Sequence, residues 1–258
     1  MKHNDLTNKT ILITGATSGI GEACAHHFAK QNAKILVCAR RKERLRKLVS
    51  ELQEKYKVKA EYFTLDIANK KAVIDAFDNL EPEWKNIDIL INNAGTARGF
   101  QKLHEGELDD WDDMIDINLK GLLYVTKQVL PGMVARNQGH VINVGSAAGH
   151  EVYAKGTVYA STKHAVNAIT KALRLDLFGT KIRVTTVDPG LVETEFSLVR
   201  FKGDQQKAKD FYAGLTPLTA DDVADSILYC AACPAHVNIS ELIIMPTDQA
   251  NITTVNRK

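Results

Sequence analysis

Short apolar runs rich in β-branched residues alternate with helix-length segments along almost the whole of this 258-residue chain. No other feature narrows its fold so far. The runs are "TILIT" (10–14), "KILVCA" (34–39), "AEYFTL" (60–65), "IDILI" (87–91), "HVINVG" (140–145), "IRVTTVD" (182–188) and "ELIIM" (241–245). Between them lie helical patterns at 20–31, 41–56, 69–79, 111–135, 159–178 and 220–232. Most of the strand runs are continuously apolar, as strands buried on both faces of a parallel sheet must be. The alternation predicts an α/β fold, a doubly wound parallel sheet with helices on both faces. No repeat, low-complexity tract or linker divides the chain, so residues 1–258 read as one domain. The stretch 190–219 shows no clear period and follows a late strand; a mobile flap over the substrate is expected there.

Composition removes several classes of function. Hydrophobic residues at 45% and charged residues at 25% exclude disordered and collagen-like chains. A net charge of +2, from 33 basic and 31 acidic residues, gives no electrostatic footprint for nucleic acid or an anionic membrane. No apolar run approaches the ~20 residues needed to cross a bilayer. The opening "MKHNDLTNKT" lacks a signal-peptide core. Cys24, Cys38, Cys230 and Cys233 sit in periodic segments and read as reduced thiols of a cytoplasmic protein.

The first strand runs into "TGATSGIG", where Gly15, Gly19 and Gly21 are spaced G-x-x-x-G-x-G around Thr17, Ser18 and Ile20. Glycines permit a tight turn and close backbone approach, and the following helix start offers free N–H groups to a pyrophosphate. An unliganded βα turn can look the same. Its place at the head of a βαβ unit argues for a dinucleotide and a Rossmann-type domain. An NAD site places an acid near the end of the second strand, against the ribose hydroxyls. Here that position reads "LVCARRKERL". Arg40 and Arg41 suit a 2′-phosphate by charge-assisted, fork-shaped hydrogen bonds, so NADP(H) is expected.

In "YASTK" (159–163), Tyr159 and Lys163 stand at i and i+4 and share one helical face. A free phenol has a pKa near 10 and is a poor base at neutral pH. A nearby ammonium favours the phenolate, which then exchanges a proton with an alcohol as hydride moves. Alone, such a pair is commonly a surface neighbour pair.

The whole set of motifs resembles the short-chain dehydrogenase/reductase family over nearly the full length. The matching stretches are "TGATSGIG" (14–21), "LDI" (65–67), "NNAG" (92–95), "INLKG" with Asn118, "NVGSAAG" with Ser146, "YASTK" and "DPGLVETEF" (188–196). The resemblance implies that Ser146 holds the substrate oxygen and Tyr159 exchanges its proton. Lys163 would bind the nicotinamide ribose and depress the tyrosine pKa, and Asn118 would anchor a proton-relaying water. Asp66 and Ile67 would contact adenine; Asn93, Ala94 and Gly95 would pass near the adenosine half; Pro189, Gly190, Val192 and Thr194 would wrap the nicotinamide end. It also implies a homotetramer through the helices at 111–135 and 159–178.

Within that family, "VYAKGTVYASTK" (152–163) and "PGLVETEFSLVRFKGD" (189–204) resemble NADP-dependent dehydrogenases of serine, allo-threonine and other 3-hydroxy acids. A carboxylate substrate calls for a cation, and Arg200 is the first candidate, with Lys202 and Lys155 behind it. Members of that subgroup often have glycine where Lys155 stands. A carbonyl reductase for neutral ketones or aldehydes is the alternative enzyme; a non-catalytic dinucleotide sensor is the alternative of another class. "CAAC" (230–233) with His236 lacks the four ligands of a structural zinc site and reads as a core-facing helical turn. His26 and His27 are expected at the surface. No metal is expected.

Overall fold

The protein is described by a computed structural model over residues 4–258. Among the described residues, seven strands form one parallel sheet: β1 (Thr10–Thr14), β2 (Lys34–Ala39), β3 (Ala60–Thr64), β4 (Ile89–Asn92), β5 (Gly139–Val144), β6 (Ile182–Pro189) and β7 (Glu241–Ile244). Their order is β3-β2-β1-β4-β5-β6-β7. The chain therefore builds outward from β1 on one side, then returns to its other side at β4. That reversal opens a crevice at the carboxyl ends of β1 and β4, where ligands bind in sheets of this kind.

Side-chain alternation explains why the central strands are apolar at every position. In β1, Ile11 and Ile13 enter a layer with Phe28, Leu45, Leu52 and Ile227, whereas Leu12 enters the opposite layer with Val125 and Met133. Full burial of such a side chain contributes about 1.5–3 kcal/mol. The first layer joins the sheet to α1 (Gly19–Ala29), α2 (Lys42–Tyr56) and α9 (Ala220–Ala232). The second draws mainly on α3 (Lys70–Asp78), α5 (Leu122–Arg136) and α6 (Thr157–Asp176). The edge strands β3 and β7 depart from the pattern, with exposed and half-buried positions. Each has a neighbour on one side only.

The expected helix at 111–135 is longer and irregular. It begins as α4 (Leu108–Ile115), widens into a π turn at Asp116–Gly121, and continues as α5. Gly121 is required there, because a Cβ would lie 2.7 Å from the Ile67 side chain. Residues 190–219 are folded rather than irregular. They hold two six-residue helices, α7 (Glu195–Arg200) and α8 (Gln205–Asp210), capped by the Thr194 and Asp204 side chains. Helices of under two turns are too short for a period to show in the sequence.

All four cysteines are free and buried, so Cys230 and Cys233 pack in the core as the helical-turn reading had it. The histidines of α1 are not surface groups. His27 is half-buried and pairs with Asp221 and Asp225 of α9 at 2.8 and 2.9 Å, and His26 packs edge-on against Tyr56. Among the described residues, no helix is long and apolar enough to cross a membrane.

Candidate active site

The crevice is a cavity of about 570 Å³ that runs from Arg40 and Arg41 to Ser146, Tyr159 and Arg200. That is an ordinary size for a cofactor or ligand site. Its glycine floor is set by close approach. Gly15 adopts φ +68°, and a Cβ there would come within 2.8 Å of the Ala94 backbone. At Gly19, φ +57°, a Cβ would lie 3.1 Å from the Thr194 side chain, so the segment after β6 abuts the turn. Asn93 locks the arrangement: its Nδ2 donates to the carbonyls of Thr14 (2.9 Å) and Gly15 (3.2 Å), and it fills the space beside Gly21. The bare backbone and the length of the crevice fit a dinucleotide.

At its outer end Arg41 donates to Thr17 Oγ1 (2.9 and 2.8 Å) and Ser18 Oγ (2.8 Å). Its other guanidinium nitrogen pairs with Glu195 Oε2 at 2.8 Å, and Arg44 pairs with the same carboxylate at 2.7 Å. The two guanidinium groups hold the Glu195 carboxyl below its usual range. Arg40 lies exposed on the rim. Asp66 is exposed and turned onto its own backbone, accepting from Ala68 N at 3.1 Å, while Ile67 is buried beside it. Pro189, Gly190, Val192 and Thr194 line the opposite end.

The four residues expected to carry the chemistry converge from three elements. Ser146 stands past β5 at the N-cap of a short 3-10 segment (Ala147–Gly149), where its Oγ accepts from Ala148 N at 3.1 Å. It is hydrogen-bonded to Tyr159 on α6. Lys163, one turn on, is buried; its Nζ donates to Val144 O at 2.9 Å and sits 5.9 Å from the Tyr159 ring centre. Desolvation pulls the Lys163 ammonium down to about 8, against the Asp188 charge, which supports it. Burial pushes Tyr159 up from its ordinary value. The opposing influences are the Ser146 hydrogen bond and then the Arg200 charge, so the expected depression by Lys163 does not govern the protein by itself.

Asn118 lies in the π turn and both of its amide protons are committed, to Thr96 O (2.8 Å) and Thr162 Oγ1 (3.0 Å); its Oδ1 accepts from Thr96 N at 2.7 Å. The amide thus ties the loop after β4 to α6. A water relay through its amide protons has no donor left.

Arg200 enters this centre from α7. It is 5% exposed, and Phe100, Tyr153, Tyr159 and Phe211 surround its guanidinium with ring centres at 5.0–5.8 Å. It donates to the Tyr153 hydroxyl at 2.5 Å and, more weakly, to Gly99 O at 3.4 Å. The two reserve cations do not join it. Lys202 pairs with Asp110 at 2.8 Å, and Lys155 lies over the outer Phe100 ring at 5.6 Å. Lys155 has φ +68°, a conformation that favours glycine.

Sequence reasoning missed the rings around Arg200, the Glu195 bridge, and Asp188 with its partner His150. It also missed Ile252, Thr253, Val255 and Arg257, which close one side of the cavity. No motif marks those last four residues. Glu195 and Asp188 stand inside "DPGLVETEF", where any carboxylate facing a cation-rich turn is a candidate.

Comparisons with known proteins agree with the geometry. A family model described as short chain dehydrogenase matches residues 9–204. The chain is 47% identical over 241 residues to the NADP-dependent 3-hydroxy acid dehydrogenase YdfG of Escherichia coli (strain K12), covering 93% of this chain and 96% of that one. It is 43% identical over 254 residues to the NADP-dependent 3-hydroxy acid dehydrogenase of Schizosaccharomyces pombe (strain 972 / ATCC 24843), covering 98% of each. A solved closed form of serine dehydrogenase complexed with NADP+ superposes with a TM-score of 0.89 at 46% identity, over 93% of this chain and 96% of that chain. A glycine-floored crevice, a Ser–Tyr–Lys centre at its inner end and these matches place the chain in the short-chain dehydrogenase family.

Proposed function

We propose that the protein is an NADP-dependent oxidoreductase that interconverts a small 3-hydroxy acid, of the serine or allo-threonine type, and its carbonyl form. The observation that carries the substrate class is Arg200: a buried guanidinium, ringed by aromatics, 5.5 Å from the Tyr159 ring. A buried cation is costly unless something pairs with it. A substrate carboxylate held there brings a neighbouring hydroxyl to Ser146 and Tyr159.

Bound NADP(H) supplies or accepts the hydride. Ser146 orients the substrate oxygen, and Tyr159 moves the proton at that same oxygen. In reduction the phenol donates; in oxidation the phenolate accepts the hydroxyl proton. Because burial keeps Tyr159 protonated at neutral pH, oxidation gains as pH rises. Lys163 would hold the ribose hydroxyls, and Arg40 and Arg41 at the far end of the crevice would meet the 2′-phosphate. Asn118 keeps the β4 loop and α6 in register beneath the site.

A neutral-carbonyl reductase leaves Arg200 without a counter-ion in its cage, and a cofactor sensor has no use for the Ser146–Tyr159–Lys163 set. The deciding experiment is an NADP-coupled screen of serine and 3-hydroxy acids against neutral alcohols of equal size. A higher kcat/KM for the neutral compounds removes the hydroxy acid reading and leaves the reductase.

The same reading extends to assembly as a homotetramer. Leu175 and Phe178, 77% and 92% exposed, project from the end of α6, and exposed Leu123 and Val134 share one face of α5. A second copy is their proposed cover; a monomer by light scattering ends that part. A reducing, cytoplasmic setting accords with four buried thiols. Fractionation of the native host is its test.

A further inference from the structure

Beneath the reacting groups lies a buried charge for which the mechanism above has no use. Asp188, near the end of β6, is fully buried. Its Oδ1 accepts the main-chain N–H of Ser146 at 3.1 Å, and its Oδ2 lies 3.0 Å from His150 Nε2. Space has been left for it. A Cβ on Gly145 would fall 1.7 Å from Oδ1, so the carboxylate occupies the room a side chain there would fill. Asn167 of α6 closes the other side, donating to Gly149 O at 3.1 Å and touching His150 Nε2 at 3.2 Å. At Gly149 a Cβ would meet the Lys163 carbonyl at 2.8 Å, so the turn carrying Ser146 and His150 is pressed against the helix carrying Tyr159 and Lys163.

We propose that Asp188 is a positioning residue for this reaction: its buried carboxylate fixes the backbone of Ser146 and lays a negative charge beneath Tyr159 and Lys163, with His150 holding it in place. The proposal rests on the reading that Ser146, Tyr159 and Lys163 are the reacting centre.

An unpaired carboxylate in this surrounding would take up a proton, and burial does raise its pKa. The opposing influences are the His150 hydrogen bond, the nearby Thr186 hydroxyl, the His150 charge and the Lys163 charge. Of these neighbours, His150 is the one that is partly exposed to solvent. From Asp188 the charge acts on two neighbours with the same sign. It supports the Lys163 ammonium, whose Nζ donates to the Val144 carbonyl. It also raises Tyr159, where Ser146 and, from α7, Arg200 pull the other way.

The sign follows. Replacing Asp188 by a neutral isostere lowers both pKa values. Loss of activity as Lys163 gives up its proton, near pH 8 in the unaltered protein, then sets in at lower pH. The gain in oxidation as Tyr159 ionises moves to lower pH as well. A merely loosened site lowers activity at every pH and moves neither limb.

The test is a pair of pH profiles of kcat and kcat/KM, with NADP and serine and with NADPH and a neutral aldehyde. They are taken for the unaltered protein, Asp188→Asn, His150→Leu, His150→Gln and Tyr159→Phe. Asp188→Asn should move both limbs to lower pH by about one unit, the scale for a single nearby charge. His150→Leu removes the donor without emptying the core, so it should move them the same way and keeps the proposal testable if Asp188→Asn does not fold. His150→Gln, which retains a donor, should restore the original profile. Unmoved limbs in both Asp188→Asn and His150→Leu overturn the proposal, whatever happens to the amplitude. Tyr159→Phe separates the two readings: full turnover in that variant removes the reacting centre itself. An inactive Tyr159→Phe beside unshifted Asp188 and His150 profiles removes only Asp188.

Discussion

Two arginines, Arg41 and Arg200, mark the two ends of one cavity, and their surroundings differ in every respect. Arg41 is 43% exposed and shares its protons among Thr17, Ser18 and Glu195. Arg200 is buried in a cage of four rings. Water screens the first, so its removal costs what a surface contact costs and its selectivity is one of charge. Nothing screens the second, so on the function proposed above a substrate lacking the matching anion is penalised there. The cofactor end is a backbone cradle with charged trim. The substrate end is a side-chain cage. A glycine turn fits the general shape of a dinucleotide; a caged guanidinium, on the function proposed above, is matched to an anion.

The hardest blow to that contrast falls between the two ends. Tyr159→Phe keeps the cradle, the cage and the aromatic packing against Phe196, 5.7 Å away. NADPH affinity should therefore hold while kcat falls by ~10²–10⁴, the scale of a lost general acid–base. Stopped-flow turnover beside a fluorescence titration of NADPH checks both halves, and near-normal turnover removes the proton role.

Arg200→Ala should come next. For serine or a 3-hydroxy acid, kcat/KM should drop by about 2–3 kcal/mol of transition-state stabilisation, the range for a charged hydrogen bond. A neutral alcohol of equal size should change little. Equal losses for both would show that Arg200 only props the Gly99–Tyr153 loop.

At the cofactor end the effect should be smaller. Arg40→Asp combined with Arg41→Ala should weaken NADPH by somewhat more than tenfold, about 1.4 kcal/mol, and NADH by less. Because Arg41 also grips Glu195 on α7, Arg41→Ala alone tests whether the two ends are independent. If it raises KM for the hydroxy acid as well as weakening NADPH, the ends are mechanically joined and the contrast needs revision.

The smallest expected change is Lys155→Gly. Left-handed backbone costs a non-glycine residue roughly 1–2 kcal/mol, part of which the greater freedom of unfolded glycine offsets. A gain of up to about 1 kcal/mol should appear as a melting temperature higher by roughly 2–4 °C. Activity on neutral alcohols should be unaffected. A fall in stability would mean that the contact of Lys155 with Phe100 outweighs the strain.

The two ends were also unequally legible. The cradle is local: Gly15 to Gly21 and the arginines after β2 lie within one βαβ unit, so spacing alone exposes them. Ser146, Tyr159 and Lys163 were visible for a similar reason, lying on a turn and the helix after it. The cage is not local. Arg200 reaches Tyr153 across 47 residues and Gly99 across 101, and Asp188 meets His150 across 38. Sheet order, rather than any periodicity, brings those positions together. Strand positions were read nearly to the residue because β-branched runs bounded by polar segments have no rival reading. The helices of 190–219 escaped because six residues cannot display a 3.6 repeat. For Tyr159 the sequence pointed to a depression by Lys163, whereas burial is the largest influence and pushes it up, since burial leaves no trace in the spacing of Tyr and Lys.

The strand order has one more consequence, and it concerns time. With all strands parallel, none pairs with the next through a tight hairpin. β1 meets β4 only after the chain has closed a long loop, as the bond from Thr10 to Asp88 across 78 residues shows. The Arg41–Glu195 contact spans 154. Contacts so remote in sequence form slowly, because the entropy of loop closure is lost before they reward it. In a chain of this length, partly folded species with secondary structure but incomplete packing are the usual outcome along the way. On dilution from denaturant, helical signal should therefore return well before turnover does. In the interval the half-made sheet bares its central strands, so the yield of active protein should fall as its concentration during refolding is raised.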